Sequence, residues 1–146
     1  MDTRNPLPFL RAALLGLLLA LTGSCLAAET TYTLAPDPQS ADLGSGATGS
    51  AEFDIRPNGH ITGLVRASGL DASVAHIHVG AVGEKGPVAV FLVKVSDSTF
   101  ATAVDTYLDK THYADYLAGK LYVDVHSRRY EGGEIRAQLT PPATTH

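Results

Sequence analysis

The stretch SAEFDIRPNGHITGLV, residues 50–65, decides the fold class. From Ala51 to Arg56, apolar and charged side chains alternate, which is the period of a strand with one buried face. Pro57–Gly59 then supplies turn residues of the kind that favour a tight hairpin. Apolar residues resume at Ile61, and we expect a bulge at Gly63 in the returning strand. The stretch therefore predicts two antiparallel strands joined by a short turn.

Further stretches with strand patterns follow, separated by turn residues: Val74–Val79, Val88–Val95, Leu121–His126 and Gly133–Leu139. Val88–Val95 is almost continuously apolar, which predicts a strand buried on both faces. Ser40–Gly49 is rich in Ser, Gly and Ala and predicts a loop.

One segment, Val104–Lys120, has apolar residues at helical spacing. Asp105 is a suitable N-cap and Gly119 a suitable terminator, so we expect one short helix near 105–118. The complete pattern predicts an all-β fold: a Greek-key antiparallel β-barrel or sandwich of about seven or eight strands with one short helix.

Composition excludes several classes of protein. The formal net charge of the 146 residues is −4, which gives nucleic-acid binding no electrostatic support. The single cysteine, Cys25, excludes an internal disulfide and cysteine-rich metal sites. No apolar run reaches the roughly 20 residues that a membrane-spanning helix needs.

The N-terminus has the order of an export signal. Basic residues precede a Leu-rich apolar run at Ala12–Leu21, and small residues follow it. We expect residues 1–27 to be a signal peptide cleaved after Ala27, and a periplasmic or extracellular location. The alternative is a lipoprotein anchored at Cys25. Residues 28–140 then form the β domain, and residues 141–146 form a flexible tail.

The histidines carry the main functional signal. His76 and His78 are alternate residues of a predicted strand, so both face away from the apolar side that Ile77 occupies. His126 lies opposite the apolar face of its own predicted strand, and Asp124 shares that side. If the two strands lie close together, His76, His78 and His126 form a three-imidazole metal site with an open position.

Such a donor set suits copper or zinc, and the usual affinity order favours Cu(II) over Zn(II). Asp124 is a candidate carboxylate for orienting a ligand. His60 and His112 belong to no spaced cluster, so we interpret both as surface residues. Glu134 and Arg136 alternate on a predicted strand and are expected to form an ion pair or surface contacts.

Three sequence blocks in this order and spacing resemble the CHRD domain, first described in chordin and widespread in secreted bacterial proteins. The blocks are AHIHVGAVGEKGPV (75–88), LYVDVHS (121–127) and GGEIRAQL (132–139), and the resemblance covers about residues 30–140. The sequence departs from the family pattern at four positions: Asp124 stands for Asn, Ser127 for Thr, Ala137 for Gly, and a residue near Glu131 for Pro. None of these changes removes His76, His78 or His126.

A more distant likeness is to copper–zinc superoxide dismutase. The stretch GHITGLVRASGLDASVAHIHVG (59–80) is similar to its His-x-His segment, and LYVDVHS is similar to its late copper-ligand strand. The resemblance implies a Greek-key barrel with copper held outside the barrel. The bridging histidine, the zinc-loop ligands and the disulfide cysteines of that family have no counterparts in this sequence.

Three functions follow as hypotheses. The first is a non-enzymatic secreted protein that binds copper, or zinc, at His76, His78 and His126 for metal carriage, buffering or resistance. The second is an extracellular module that binds a protein partner without metal, as the CHRD resemblance implies. The third is a copper-only oxidoreductase similar to superoxide dismutase, which the negative net charge disfavours because it gives no general steering of an anion.

Overall fold

Nine antiparallel strands and two short helices make up the fold in a computed structural model that describes residues 29–143. The predicted signal peptide, Cys25 and His146 lie outside the described residues, as do residues 144–146 of the predicted tail. In chain order the elements are β1 (Thr30–Pro36), α1 (Pro38–Asp42), β2 (Thr48–Ile55), β3 (Ile61–Ser68), β4 (Ala72–Val79), β5 (Val88–Phe91), β6 (Val93–Ser96), β7 (Thr99–Ala101), α2 (Lys110–Leu117), β8 (Leu121–Ser127) and β9 (Ile135–Leu139).

The strands form a nearly closed barrel in the order β5-β4-β8-β9-β1-β2-β3-β7-β6. Neighbours that are distant in sequence, such as β4 with β8 and β3 with β7, are the crossovers expected of a Greek-key fold. The two ends of this order, β5 and β6, follow each other directly along the chain. Leu92 joins them, and its backbone N–H donates to Ala75 O of β4 at 3.1 Å. The prediction of an all-β antiparallel fold is confirmed, with nine strands and two helices in residues 29–143 in place of about seven or eight strands and one helix.

The barrel interior holds inward-facing side chains from most of the strands, whereas all four residues of β6 are exposed. The largest fully buried members are Phe53, Phe100, Leu34, Ile61, Ile77, Leu121, Ile135, Leu139, Val65, Val123 and Val125. Burial of this apolar surface is the main stabilising contribution to the fold, at about 25 cal/mol for each Å² removed from water. β4 and β8 each supply part of this interior, so their opposite faces are fixed toward the outside of the barrel.

The hairpin predicted at residues 50–65 is confirmed. Ile55 pairs with Ile61, and Gly59 in the turn has φ +86°, a conformation that glycine adopts without strain. The bulge expected at Gly63 is wrong, because β2 and β3 pair continuously and Phe53 lies opposite Gly63. A side chain on Gly63 would overlap the carbonyl oxygen of Glu52 and the ring of Phe53, so close strand packing explains this glycine.

Three other local predictions need correction. The predicted strand Val88–Val95 is divided at Leu92, and it is not buried on both faces: Phe91, Val93 and Val95 are 71%, 49% and 57% exposed. The two halves, β5 and β6, are the two ends of the strand order, so each lacks a neighbouring strand on one side.

The predicted loop at 40–49 contains the end of α1 and the start of β2. α1 begins after the N-cap Asp37, whose side chain accepts from Gln39 N, and Pro38 occupies its first turn. The predicted helix near 105–118 is the shorter α2, which is capped by Asp109 and not by Asp105. Gly119 ends it with φ +67°, as expected. No helix in residues 29–143 is long and apolar enough to cross a membrane.

Candidate metal centre

The outward faces of β4 and β8 lie side by side and hold the predicted histidines. In the register of this antiparallel pair, His76 lies opposite Asp124, and His126 lies opposite Val74. Ile77 lies opposite Val123 on the inner face, where both are fully buried. The sequence prediction of outward histidines is therefore confirmed. One nitrogen each from His76, His78 and His126 and one oxygen from Asp124 all lie within 4.8 Å of one another.

Backbone carbonyls hold two of the imidazoles by their Nδ1 atoms. His78 Nδ1 lies 2.9 Å from Gly86 O in the loop after β4, and His126 Nδ1 lies 2.7 Å from Glu131 O in the turn after β8. A carbonyl oxygen can only accept, so each Nδ1 carries the hydrogen. In the neutral rings, both Nε2 atoms are then left with lone pairs directed at the cluster. Hydrogen bonds of this kind fix the tautomer and ring orientation of metal-binding histidines in proteins.

In the neutral rings, three of the atoms that converge at the centre are acceptors: Asp124 Oδ1 and the Nε2 atoms of His78 and His126. Asp124 Oδ1 lies 3.2 Å from His78 Nε2 and 3.1 Å from His126 Nε2, while His76 Nδ1 lies 3.2 Å from the same His126 nitrogen. His78 Nε2 is buried and has no hydrogen-bond partner in the described residues. Lone pairs at these separations repel one another unless a proton or a metal ion lies between them. The four side chains thus fit a cation that accepts several ligands.

Burial and neighbouring charges shift the pKa values of the cluster residues in different directions. Burial opposes a charge on His126, but its hydrogen bond to Asp124 and the negative charge of that carboxylate raise the pKa above the ordinary imidazole value. Burial likewise opposes ionisation of Asp124, yet the adjacent imidazoles of His126 and His78 lower its pKa overall. Burial, together with the neighbouring His126, lowers the pKa of His76. The surroundings therefore favour the carboxylate form of Asp124 and the protonated form of His126, and they oppose a charge on His76.

The β9 side of the cluster is closely covered. Tyr122 stacks on His78 with ring centroids 5.0 Å apart and an angle of 5° between the planes. The Arg136 guanidinium lies 3.7 Å from the centre of the Tyr122 ring and its Nη1 donates to Glu84 O at 3.0 Å. The hydrogen bond ties the loop after β4 to β9, and the cation–π contact ties β9 to β8. Asp124 itself is only 4% exposed, so its carboxylate acts at a low local dielectric.

The opposite side of the cluster is open. β5 is the edge strand there, and its Phe91 lies opposite His76 in the β4–β5 register. The two rings meet edge to face, with centroids 5.1 Å apart and an angle of 87°. Phe91 and the neighbouring Val74 are both largely exposed. His76 is therefore the cluster residue nearest to the open edge.

The remaining predicted residues lie away from the cluster or have other contacts. His60 packs on Tyr107, with ring centroids 5.0 Å apart, and His112 Nδ1 lies 3.4 Å from Asp109 Oδ1 at the start of α2. Neither belongs to the cluster of His76, His78, Asp124 and His126, as expected. The ion pair expected between Glu134 and Arg136 is wrong. Glu134 accepts instead from Ser45 Oγ at 2.7 Å, and Arg136 Nη1 lies 3.6 Å from Asp37 Oδ2.

The sequence placed Asp124 beside the predicted ligands, and the structure places it within the cluster itself. Its position on the His126 face was visible in the alternation of β8, but its contact with His78 depends on the β4–β8 register. No sequence signal indicated the carbonyls of Gly86 and Glu131, because backbone groups carry no residue signature. The Tyr122 stack could have been suspected, since Tyr122 shares the outward side with Asp124.

A surface cavity of about 460 Å³ lies beside this region and is lined by Asp37, Pro38, Gln39, Val82, Gly83, Lys85, Arg136, Ala137 and Gln138. It includes none of the four cluster residues. The histidines and the carboxylate that could hold a metal ion therefore lie outside this cavity.

Comparison with known proteins gives one result. No curated protein and no solved structure matches the chain, so neither comparison shows the expected likeness to copper–zinc superoxide dismutase. The family model of the CHRD domain matches residues 30–139, which include all nine strands and all four cluster residues. The chain belongs to the CHRD-domain family.

Proposed function

We propose that this CHRD-domain protein binds a transition-metal ion, with copper preferred over zinc, through His76, His78 and His126 together with Asp124. The observation that carries the proposal is the convergence of three imidazole nitrogens and one carboxylate oxygen within 4.8 Å. A bound zinc ion lies about 2.0–2.2 Å from nitrogen and oxygen ligands, so small side-chain movements suffice to bring all four into contact.

The donor set supports a divalent borderline metal. Imidazole suits copper and zinc, whereas magnesium and calcium prefer sites made of oxygen ligands alone. For a given site, Cu(II) binds more tightly than Zn(II) by the usual affinity order. Asp124 supplies one negative charge, which favours Cu(II) over the monovalent ion.

The role that fits this centre is extracytoplasmic metal carriage, buffering or resistance. The leader at residues 1–27 supports export of the chain, since it has the order of a secretion signal. With four side chains directed at one point, the bound ion keeps few positions for a substrate. Sites with a full set of protein ligands hold a metal rather than use it for catalysis.

The test is a titration of metal-free protein with Cu(II) and Zn(II) against a competing chelator of known affinity. We expect binding tighter than micromolar, weakened at least about tenfold in His126→Ala and in His78→Ala, because each loses a held ligand. His60→Ala and His112→Ala are matched controls and should leave the affinity unchanged. Equal affinity in His126→Ala and in the wild type would overturn the proposal.

A second candidate is an extracellular protein-interaction module. The exposed Phe91, Val93 and Val95 favour it, since they place apolar surface along consecutive edge strands. Chelator treatment separates the two functions. A specific partner recovered from extracellular extract with equal yield in the presence and absence of chelator would support the module.

A further inference from the structure

The four ligands of the proposed centre are held unequally. Gly86 O holds His78, Glu131 O holds His126, and Asp124 is almost fully buried between these two histidines. For His76 the described residues provide one polar contact, to His126 Nε2, which is itself a ligand atom. Since a second hydrogen bond is what fixes the orientation of a ligand ring, His76 is the least constrained of the four.

His76 is also the ligand on the open side. Tyr122, Arg136 and the loop that contains Gly86 cover the centre toward β9. Toward β5 there is no further strand, and the exposed ring of Phe91 stands edge-on against His76. An incoming ligand that approaches from β5 therefore meets Phe91 first and His76 second.

We propose that His76 is the exchange ligand of the metal centre. The ion enters and leaves on the β5 side when His76 Nδ1 detaches, while His78, Asp124 and His126 keep their bonds to it. A donor atom of the acceptor molecule takes the coordination position of His76, so the step is a ligand substitution without change of oxidation state. Phe91 slows the step, because its ring packs on His76 and occupies the approach. This inference rests on the proposed metal binding.

The experiment measures transfer of Cu(II) or Zn(II) from loaded protein to excess 4-(2-pyridylazo)resorcinol by stopped-flow absorbance. Phe91→Ala removes the edge-to-face contact, and we expect transfer to be about fivefold to tenfold faster, a factor within the range that one aromatic pair contact covers. The equilibrium affinity should change less than about threefold, since the three held ligands remain. Phe91 is 71% exposed, so the variant should fold normally.

Two further variants make the test specific. Val93→Ala removes an exposed apolar side chain from β6 and should transfer metal at the wild-type rate. Phe91→Leu keeps bulk at the approach and should restore much of the slow transfer. Among the ligand variants, His76→Ala should still bind metal and release it faster than the wild type, whereas His78→Ala should lose more affinity than His76→Ala.

The outcomes separate the two proposals. A wild type that binds neither metal overturns both the metal centre and the exchange ligand. If the wild type binds metal but Phe91→Ala transfers it within about twofold of the wild-type rate, only the exchange ligand is overturned. Equal acceleration by Val93→Ala would likewise overturn it, because Val93 lies on another strand.

Discussion

Asp124→Asn tests whether the buried carboxylate acts on the metal. Asn has nearly the same shape as Asp, and its amide N–H can donate to a histidine Nε2, so the barrel should stay folded. Two unit charges about 4 Å apart interact by about 4 kcal/mol at an effective dielectric of 20. A metal ion in the cluster lies closer than this to Asp124 Oδ1, since all four ligand atoms lie within 4.8 Å of one another.

Part of that attraction is offset, because the same carboxylate stabilises the proton on His126 that the metal must displace. The net loss on Asp124→Asn should be about 3 kcal/mol, or roughly 100-fold in Kd. The metal-free variant should melt close to the wild-type temperature, while the upward shift that Cu(II) causes in the wild type should shrink.

The assay is competitive Cu(II) titration together with thermal unfolding in the presence and absence of metal. Asp109→Asn is the matched control, because Asp109 also contacts a histidine but caps α2 and does not belong to the cluster. Asn caps helices as well as Asp does, so this variant should keep its helix. An affinity for Cu(II) within about threefold of the wild type in Asp124→Asn would refute the carboxylate's role, whatever the melting temperature does.

Three other predictions follow from the same geometry. Affinity for Cu(II) should fall as the pH is lowered, because a proton on His126 competes with the metal. The fall should begin above the ordinary imidazole pKa of about 6.5, since the effect of Asp124 exceeds that of burial and raises the pKa of His126. Titrations with Cu(II) at a series of pH values check this. Gly86→Ala should weaken metal binding, since its Cβ would overlap Val79 O and displace the carbonyl that holds His78; the competitive titration measures the loss. Mass spectrometry of the exported protein should find an N-terminus at Ala28 and no lipid-modified Cys25.

Local patterns were sufficient for the faces of the strands. The alternation in β4 and β8 placed Ile77 and Val123 inside and the histidines outside, as the structure has them. This succeeds because alternate residues of a strand face opposite sides whatever the partner strand is.

Features that depend on partner strands could not be predicted in this way. The apolar run Val88–Val95 has the composition of a doubly buried strand, but its place at both edges of the barrel leaves Phe91 exposed. Asp124 became part of the cluster only through its register with His76. The start of α1, by contrast, has a local sequence signal, since Asp37 followed by Pro38 is typical of a helix N-terminus. The small residues that follow favoured a loop, so the helix was not predicted.

The most direct test of the metal centre is the metal content of protein purified without chelator. Inductively coupled plasma mass spectrometry measures it for the wild type and for the His78→Ala/His126→Ala double variant. Both replaced side chains lie outside the barrel core, so the double variant should keep the fold and can be checked by circular dichroism. A metal centre at these residues predicts a single copper or zinc ion per wild-type chain and none in the double variant. Metal-free wild-type protein that also fails to take up Cu(II), or equal metal content in both proteins, would contradict it.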